Sequence, residues 1–287
     1  TESYNMSYKK RFNRRLGATN INMELDKNER FVLRQCSRYM QRHLQRKLVF
    51  DDETMTLICW LLGYDMTCIG SYLMDRMEPL QQEEFAERLQ ENIYEPDWYA
   101  KTLVEMMQKS GIDHFGRFRR FVREALRFRR EQLQYDRRSD LETNLETIRE
   151  MFNLSTPETD LCIFLFIMTS YEEPERFFDT HLHCDRFAGR KYLTHMLGLT
   201  DSELNRILCG SLVQIGILEV DSYNICIERG FLPFFQNPAD RSFARDLYAP
   251  VTGSEVPLGD FLVPLHHQPH EGPGHGFPET ICLETRV

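Results

Sequence analysis

The sequence predicts a mainly α-helical protein, an N-terminal helical bundle followed by a winged helix-turn-helix domain with a small β-hairpin. Three observations predict it. Apolar residues recur three and four apart from about residue 25 to residue 215, the period of one helix face. At Ile217 that period gives way to two short runs, Ile217 to Val220 and Tyr223 to Ile227, joined at Asp221-Ser222. Gly198 and Gly216 each follow the last residue of a periodic run, where a left-handed stop is needed.

The bulk composition narrows the class. The chain has 287 residues, 41% of them hydrophobic and 12% aromatic, which supports a packed core. The net charge of −9 argues against a nonspecific nucleic-acid binder but permits local basic surfaces. No apolar run is read as a membrane span, Leu161 to Met168 being too short, and no membrane partner is expected. The eight cysteines form no CxxC and mostly sit within apolar stripes, so they read as reduced, buried thiols of a cytoplasmic protein.

In chain order, residues 1–20 form a flexible basic lead-in with Lys9, Lys10, Arg11, Arg14 and Arg15. Residues 21–153 read as a helical domain. Its first helix starts near Leu25 and buries Phe31, Leu33, Cys36, Met40, Leu44 and Leu48. Asp51 or Asp52 caps a second, strongly apolar helix containing Met55, Leu57, Ile58, Trp60, Leu61 and Leu62. Tyr72, Leu73, Met77, Leu80, Phe85, Leu89 and Ile93 continue the core pattern. Pro96 fits the first turn of a helix that carries Trp98, Leu103, Met106 and Met107. The stretch 117–138 is unusually basic: Arg117, Arg119, Arg120, Arg123, Arg127, Arg129, Arg130, Arg137 and Arg138 crowd one helix around an apolar side of Phe118, Phe121, Val122, Ala125, Leu126 and Leu133. These arginines either pair with acids on neighbouring helices or offer Arg117, Arg120, Arg123, Arg127 and Arg130 to an acidic partner or a nucleic-acid backbone. A further helix over 139–153 ends at a domain boundary at Asn153 to Pro157.

Residues 157–250 read as the winged-helix-like domain. A helix begins at Asp160, and another opens at Pro174. Leu193, Met196 and Leu197 share one face of the next helix, and Thr200 or Asp201 caps its successor with Glu203 at capping-box spacing. Leu204, Ile207, Leu208, Ser211, Leu212 and Ile215 make a single stripe, predicting one recognition helix over 201–215. Its outer face would present Ser202, Asn205, Arg206, Cys209, Val213 and Gln214 to DNA or to a partner. Residues 160–250 hold eight Arg and Lys against thirteen Asp and Glu, a net of −5, which opposes a phosphate surface and favours a protein partner, with DNA as the alternative. Aromatic residues in Gly230 to Pro238 should pack back on the ribbon, and 251–287 read as an irregular Pro, Gly and His-containing tail.

No catalytic constellation is predicted for this chain alone. His181, His183, Cys184 and Asp185 are the densest ligand-type cluster, but their spacing does not converge on one point, and no metal or catalytic residue is expected. The tail histidines lack a rigid frame, and GxxxxGK[ST], GxGxxG and HExxH are all missing from the sequence. Glu284-Thr-Arg-Val287 has the pattern of a PDZ ligand, a four-residue match of low specificity.

Four pieces carry a family resemblance: Phe187 to Leu193, Leu197 to Leu204, Gly210 to Glu219 and Gly230 to Pro238. Together they resemble the region before the ATPase core in a family of large bacterial AAA-type ATPases. The resemblance covers roughly residues 155–262, and its last piece is the more specific. It implies an N-terminal, partner- or substrate-recruiting region, with oligomerisation possible through a parent ATPase. ATP and Mg are implied only if a motor domain lies downstream, because the nucleotide-binding loop is not in this sequence.

Overall fold

The computed structural model describes residues 25–46, 50–93, 95–109, 115–135, 137–182, 186–220 and 225–236, all within one compact unit. The fold is mainly α-helical with a two-stranded antiparallel hairpin. Helix α1 (Lys27–His43) is the hub. Asp26 and Glu29 form a reciprocal capping box at its start, satisfying two orphan amides. It packs against α6 (Phe115–Gln132), α7 (Asp140–Met151), α8 (Thr156–Ser170) and α10 (Arg186–Leu197). Phe31, Leu33, Cys36, Met40 and Leu44 are buried as their spacing predicts, whereas Leu48 lies outside the described residues.

Asp51 caps α2 (Asp52–Leu62) through its carboxylate on the Thr54 amide. A 3-10 turn, Gly63–Met66, leads directly into α3 (Thr67–Met74). The continuous segment Asp52–Met74 is long and apolar enough to cross a membrane by length and composition, correcting the sequence expectation. Here it is a core element: α2 packs against α5 (Pro96–Lys109), α6 and α9 (Glu172–Leu182). Within α4 (Pro79–Glu91), Phe85 and Leu89 are buried, but Leu80 is 84% exposed, and on α5 Trp98 is 56% exposed. Both sit in the first turn of their helix, turned away from most of its buried residues, so helical phase puts them outside the core.

Helix α6 buries Phe118, Phe121, Val122, Ala125 and Leu126, and Leu133 just beyond its end is buried too. Arg137 and Arg138 lie past its C-terminus, before the Ser139 cap of α7, so the arginines do not all share one helix. Helix α8 starts at Thr156 rather than Asp160, because the Ser155–Glu158 capping box and Pro157 in the first turn nucleate it earlier. Asn153 turns the chain with φ 50°, and α7 and α8 pack directly across that turn. Asn153 to Pro157, expected to be a domain boundary, connects these two helices.

After α9 and α10 come α11 (Asp201–Leu208) and the single-turn α12 (Ser211–Gln214). Strand β1 (Leu218–Val220) then pairs antiparallel with β2 (Ile225–Ile227), Leu218 opposite Ile227 and Val220 opposite Ile225. Leu218 and Ile227 are buried on the same face, and β2 packs against α8. The expected joint at Asp221-Ser222 lies outside the described residues. A short helix α13 (Leu232–Gln236) docks on α7. Its buried Phe235 stacks on Phe166 of α8 at 5.3 Å, and the Asn144 amide donates to the Phe235 carbonyl at 3.2 Å. The aromatic segment therefore anchors to α7 and α8, where the expectation had it on the ribbon.

Candidate partner-binding surface

The turn between α10 and α11 is built locally. Gly198 takes φ 70°, and Leu199 donates its amide back to the Thr194 carbonyl at 2.8 Å, closing α10. The Thr200 hydroxyl accepts from the Glu203 amide at 3.2 Å, and the Glu203 carboxylate accepts from the Thr200 amide at 2.8 Å. The Thr200 amide, and then its hydroxyl, both donating to this carboxylate, hold the Glu203 carboxyl below its usual range.

The expected recognition helix over 201–215 is not continuous. It breaks at Gly210, whose backbone is extended with φ −95° and ψ −161°. A Cβ there would stand 2.8 Å from the Arg206 carbonyl oxygen, so the tight turn needs glycine. The apolar stripe survives the break, since Leu204, Ile207, Leu208 and Leu212 are all buried, but α11 has only eight residues. Ser202, Asn205 and Arg206 are exposed on α11, whereas Gln214 is exposed on α12. Asn205 is already engaged: its side-chain oxygen accepts from the Arg190 guanidinium of α10.

The α6 arginines divide into three groups. Arg117, Arg120 and Arg123 are exposed at three-residue spacing and make no ion pair among the described residues. Arg127 pairs with Glu124 on the same helix at 2.5 Å. The others face inward: Arg119 donates to the Arg46 carbonyl at 2.7 Å, Arg130 to the Gln41 side chain at 3.2 Å, and Arg129 forms a buried ion pair with Asp65 at 3.6 Å.

Sequence reasoning misses how α1 joins these two regions. Arg42 donates to the Met196 carbonyl at 2.6 Å, at the C-terminal end of α10. Arg46 donates to the Lys191 carbonyl at 3.2 Å, and His195 donates to the Arg42 carbonyl at 2.9 Å. Arg42, on the Met196 carbonyl in the last turn of α10, satisfies an orphan carbonyl and complements the helix dipole. Arg119, Arg46, Lys191, Arg190 and Asn205 thereby form a linked path from α6 through the end of α1 to α10 and α11. The one signal for it is the basic cluster at the end of α1, Arg42, His43 and Arg46, which an apolar-stripe reading passes over.

Beneath the path lies an aromatic knot. His43 is 2% exposed, and its Nδ1 makes a 2.8 Å hydrogen bond with the Tyr192 hydroxyl. Its ring lies 4.9 Å from those of both Phe177 and His181 on α9. Burial, and then the nearby His181, Arg46 and His195, push the His43 pKa down to about 3. Of the expected ligand cluster, His183, Cys184 and Asp185 lie outside the described residues, and no metal-type cluster occurs among the described ones. Cys36, Cys59, Cys68 and Cys162 are buried; burial pushes the Cys162 thiol up to about 12 and raises Cys36 and Cys59 as well. Cys209, the C-cap of α11, is exposed and Cys226 in β2 is half-buried, against the expectation of buried thiols.

No protein-family model, curated protein or solved structure matches this chain.

Proposed function

We propose that the chain is a non-catalytic binding and assembly module of the cytoplasm that docks a protein partner through an acidic surface of that partner. In this reading α10, α11, α12 and the hairpin form a winged-helix-like unit, and the module is the recruiting region that precedes the motor of an AAA-type ATPase. The observation that carries it is the exposed row of Arg117, Arg120 and Arg123 on α6, which the inward-facing Arg119 braces from behind through the Arg46 carbonyl. Arginine forks presented from braced helices suit carboxylates, since little side-chain freedom remains to be lost on binding.

Two features of α11 favour protein over DNA. Its first turn, the part of a recognition helix that meets base edges, carries Asp201 and Glu203. Its best base-reading residue, Asn205, is held by Arg190. The second reading, a winged-helix DNA-binding regulator, draws on the same arginine row. Duplex titration separates them. The docking module predicts weak duplex binding at physiological salt, unchanged in Arg206→Ala. Tight binding that the substitution abolishes, with affinity falling steeply as salt rises, would establish the regulator.

A further inference from the structure

Two helices far apart in sequence carry exposed rows of opposite charge. On α4, Glu83, Glu87 and Glu91 follow one another at four-residue spacing, on the side away from the buried Phe85 and Leu89. Leu80, 84% exposed, heads the same side. On α6, Arg117, Arg120 and Arg123 follow at three-residue spacing, away from the buried Phe118, Val122 and Leu126. None of these charged side chains makes an ion pair among the described residues, whereas Glu84 and Arg88 on the flank of α4 are taken by Lys109 and Glu105 of α5. Within one chain α4 is held by α3 and α5, and α6 by α1 and α2. Both rows also reach the helix end that suits them least. Arg117 lies in the first turn of α6, which holds no acid, and Glu91 is the last residue of α4. A helix N-terminus is electropositive and a C-terminus electronegative, so each of these charges opposes its own helix dipole.

We propose that the α6 arginine row docks a second copy of this chain, which lays its α4 antiparallel along it. This names the occupant of the docking surface described above and rests on that reading. In the antiparallel register Arg117 meets Glu91, Arg120 meets Glu87 and Arg123 meets Glu83, while Leu80 comes beside the methylene stem of Arg127. The rows match in length, about 12 Å from Glu83 to Glu91 and about 9 Å from Arg117 to Arg123 along their axes. A three-residue row against a four-residue row is the combination that packs helices with axes about 20° apart. Each helix then sets its ill-placed charge against the opposite dipole of the other, Glu91 at the N-terminus of α6 and Arg117 at the C-terminus of α4. The net charge of −9 does not prevent the contact. Charges more than about 8 Å apart are largely screened at physiological salt, so the facing rows outweigh the total. Exposed ion pairs are individually weak, so the association is weak and sensitive to salt.

Sedimentation velocity of the full chain, from about 5 μM to about 0.5 mM, reads the association. The wild-type chain is expected to self-associate at the upper concentrations in about 0.05 M salt, and at least about tenfold more weakly in about 0.5 M salt. Glu83→Arg/Glu87→Arg/Glu91→Arg and Arg117→Glu/Arg120→Glu/Arg123→Glu, all at exposed positions, should each be monomeric. An equimolar mixture of the two variants should associate again, because the basic α4 of one then faces the acidic α6 of the other. That recovery separates lost complementarity from damage to the fold, and the salt series needs no variant at all. The proposal is overturned if the wild-type chain is monomeric at about 0.5 mM in low salt, if salt leaves its association unchanged, if either reversal leaves it intact, or if the mixture stays monomeric. A monomeric wild-type chain whose arginine row still retains a protein from extract removes this inference alone. The docking reading falls separately, if that row retains no protein.

Discussion

His43 shows how one buried ring sets a pH limit on the protein. In the fold its pKa is pushed down to about 3, against about 6.5 for a free imidazole. The folded state therefore binds fewer protons than the unfolded chain between those values. Stability is full above pH 6.5 and is lost as pH falls toward 3, at up to about 1.4 kcal/mol per pH unit. His181, lowered chiefly by its own burial, acts with the same sign. Urea denaturation from pH 7 downward should show the loss, and His43→Gln should flatten it while lowering stability at neutral pH through the altered contact with Tyr192. A second residue-scale test concerns the capping box. Thr200→Ala removes the acceptor of the Glu203 amide and should cost about 1 kcal/mol without changing partner binding. That cap is readable in the sequence because Thr200 and Glu203 are three apart and no distant residue is needed to satisfy them.

At the scale of the helix, the α6 arginines make opposite predictions according to the side they face. Arg117→Ala, Arg120→Ala and Arg123→Ala, all exposed, should each change stability by less than about 0.5 kcal/mol while weakening partner binding. Arg119→Ala removes the fork from the Arg46 carbonyl and should cost about 1–2 kcal/mol, because that half-buried carbonyl loses its donor. Chemical denaturation checks both. The buried side of α6 is legible in the sequence, since Phe118, Val122 and Leu126 repeat with the helical period. Which arginines point inward is not, because Arg129 is buried against Asp65 on a segment far away in sequence, and periodicity carries no such information. The same limit explains Gly210. The stripe from Leu204 through Leu212 continues in phase across it, so only the close approach to the Arg206 carbonyl shows that the helix must end. Leu80 and Trp98 fall outside the core for a related reason: apolar type alone does not carry the phase of the helix that bears them.

Across the whole molecule, α1 decides the architecture. Asp160 of α8 accepts from the Tyr39 hydroxyl at 2.8 Å and from Arg38, while Arg42 and Arg46 hold the carbonyls of α10. The polar contacts fix which helices meet, and aromatic packing behind them supplies the core. Phe166 and Phe235 join α8 to α13 in that core, so Phe166→Ala should cost about 3–5 kcal/mol, measurable by thermal or chemical unfolding. The mainly helical class and the hairpin are legible from period alone. The joining of the bundle to the α10–α11 region is not, because it rests on side chains reaching backbone carbonyls about 150 residues away, contacts that no local pattern encodes.

The proposed docking of an acidic protein rests on the exposed Arg117, Arg120 and Arg123 beside the braced end of α1. It is tested most directly by capturing partners from nuclease-treated native extract with the wild-type chain and with Arg117→Glu/Arg120→Glu/Arg123→Glu side by side, after matching their stability. The expected result is a protein partner that survives nuclease and is lost, by about tenfold or more in yield, with the three charge reversals. A partner set that disappears with nuclease, or a protein retained equally by both chains, would contradict it.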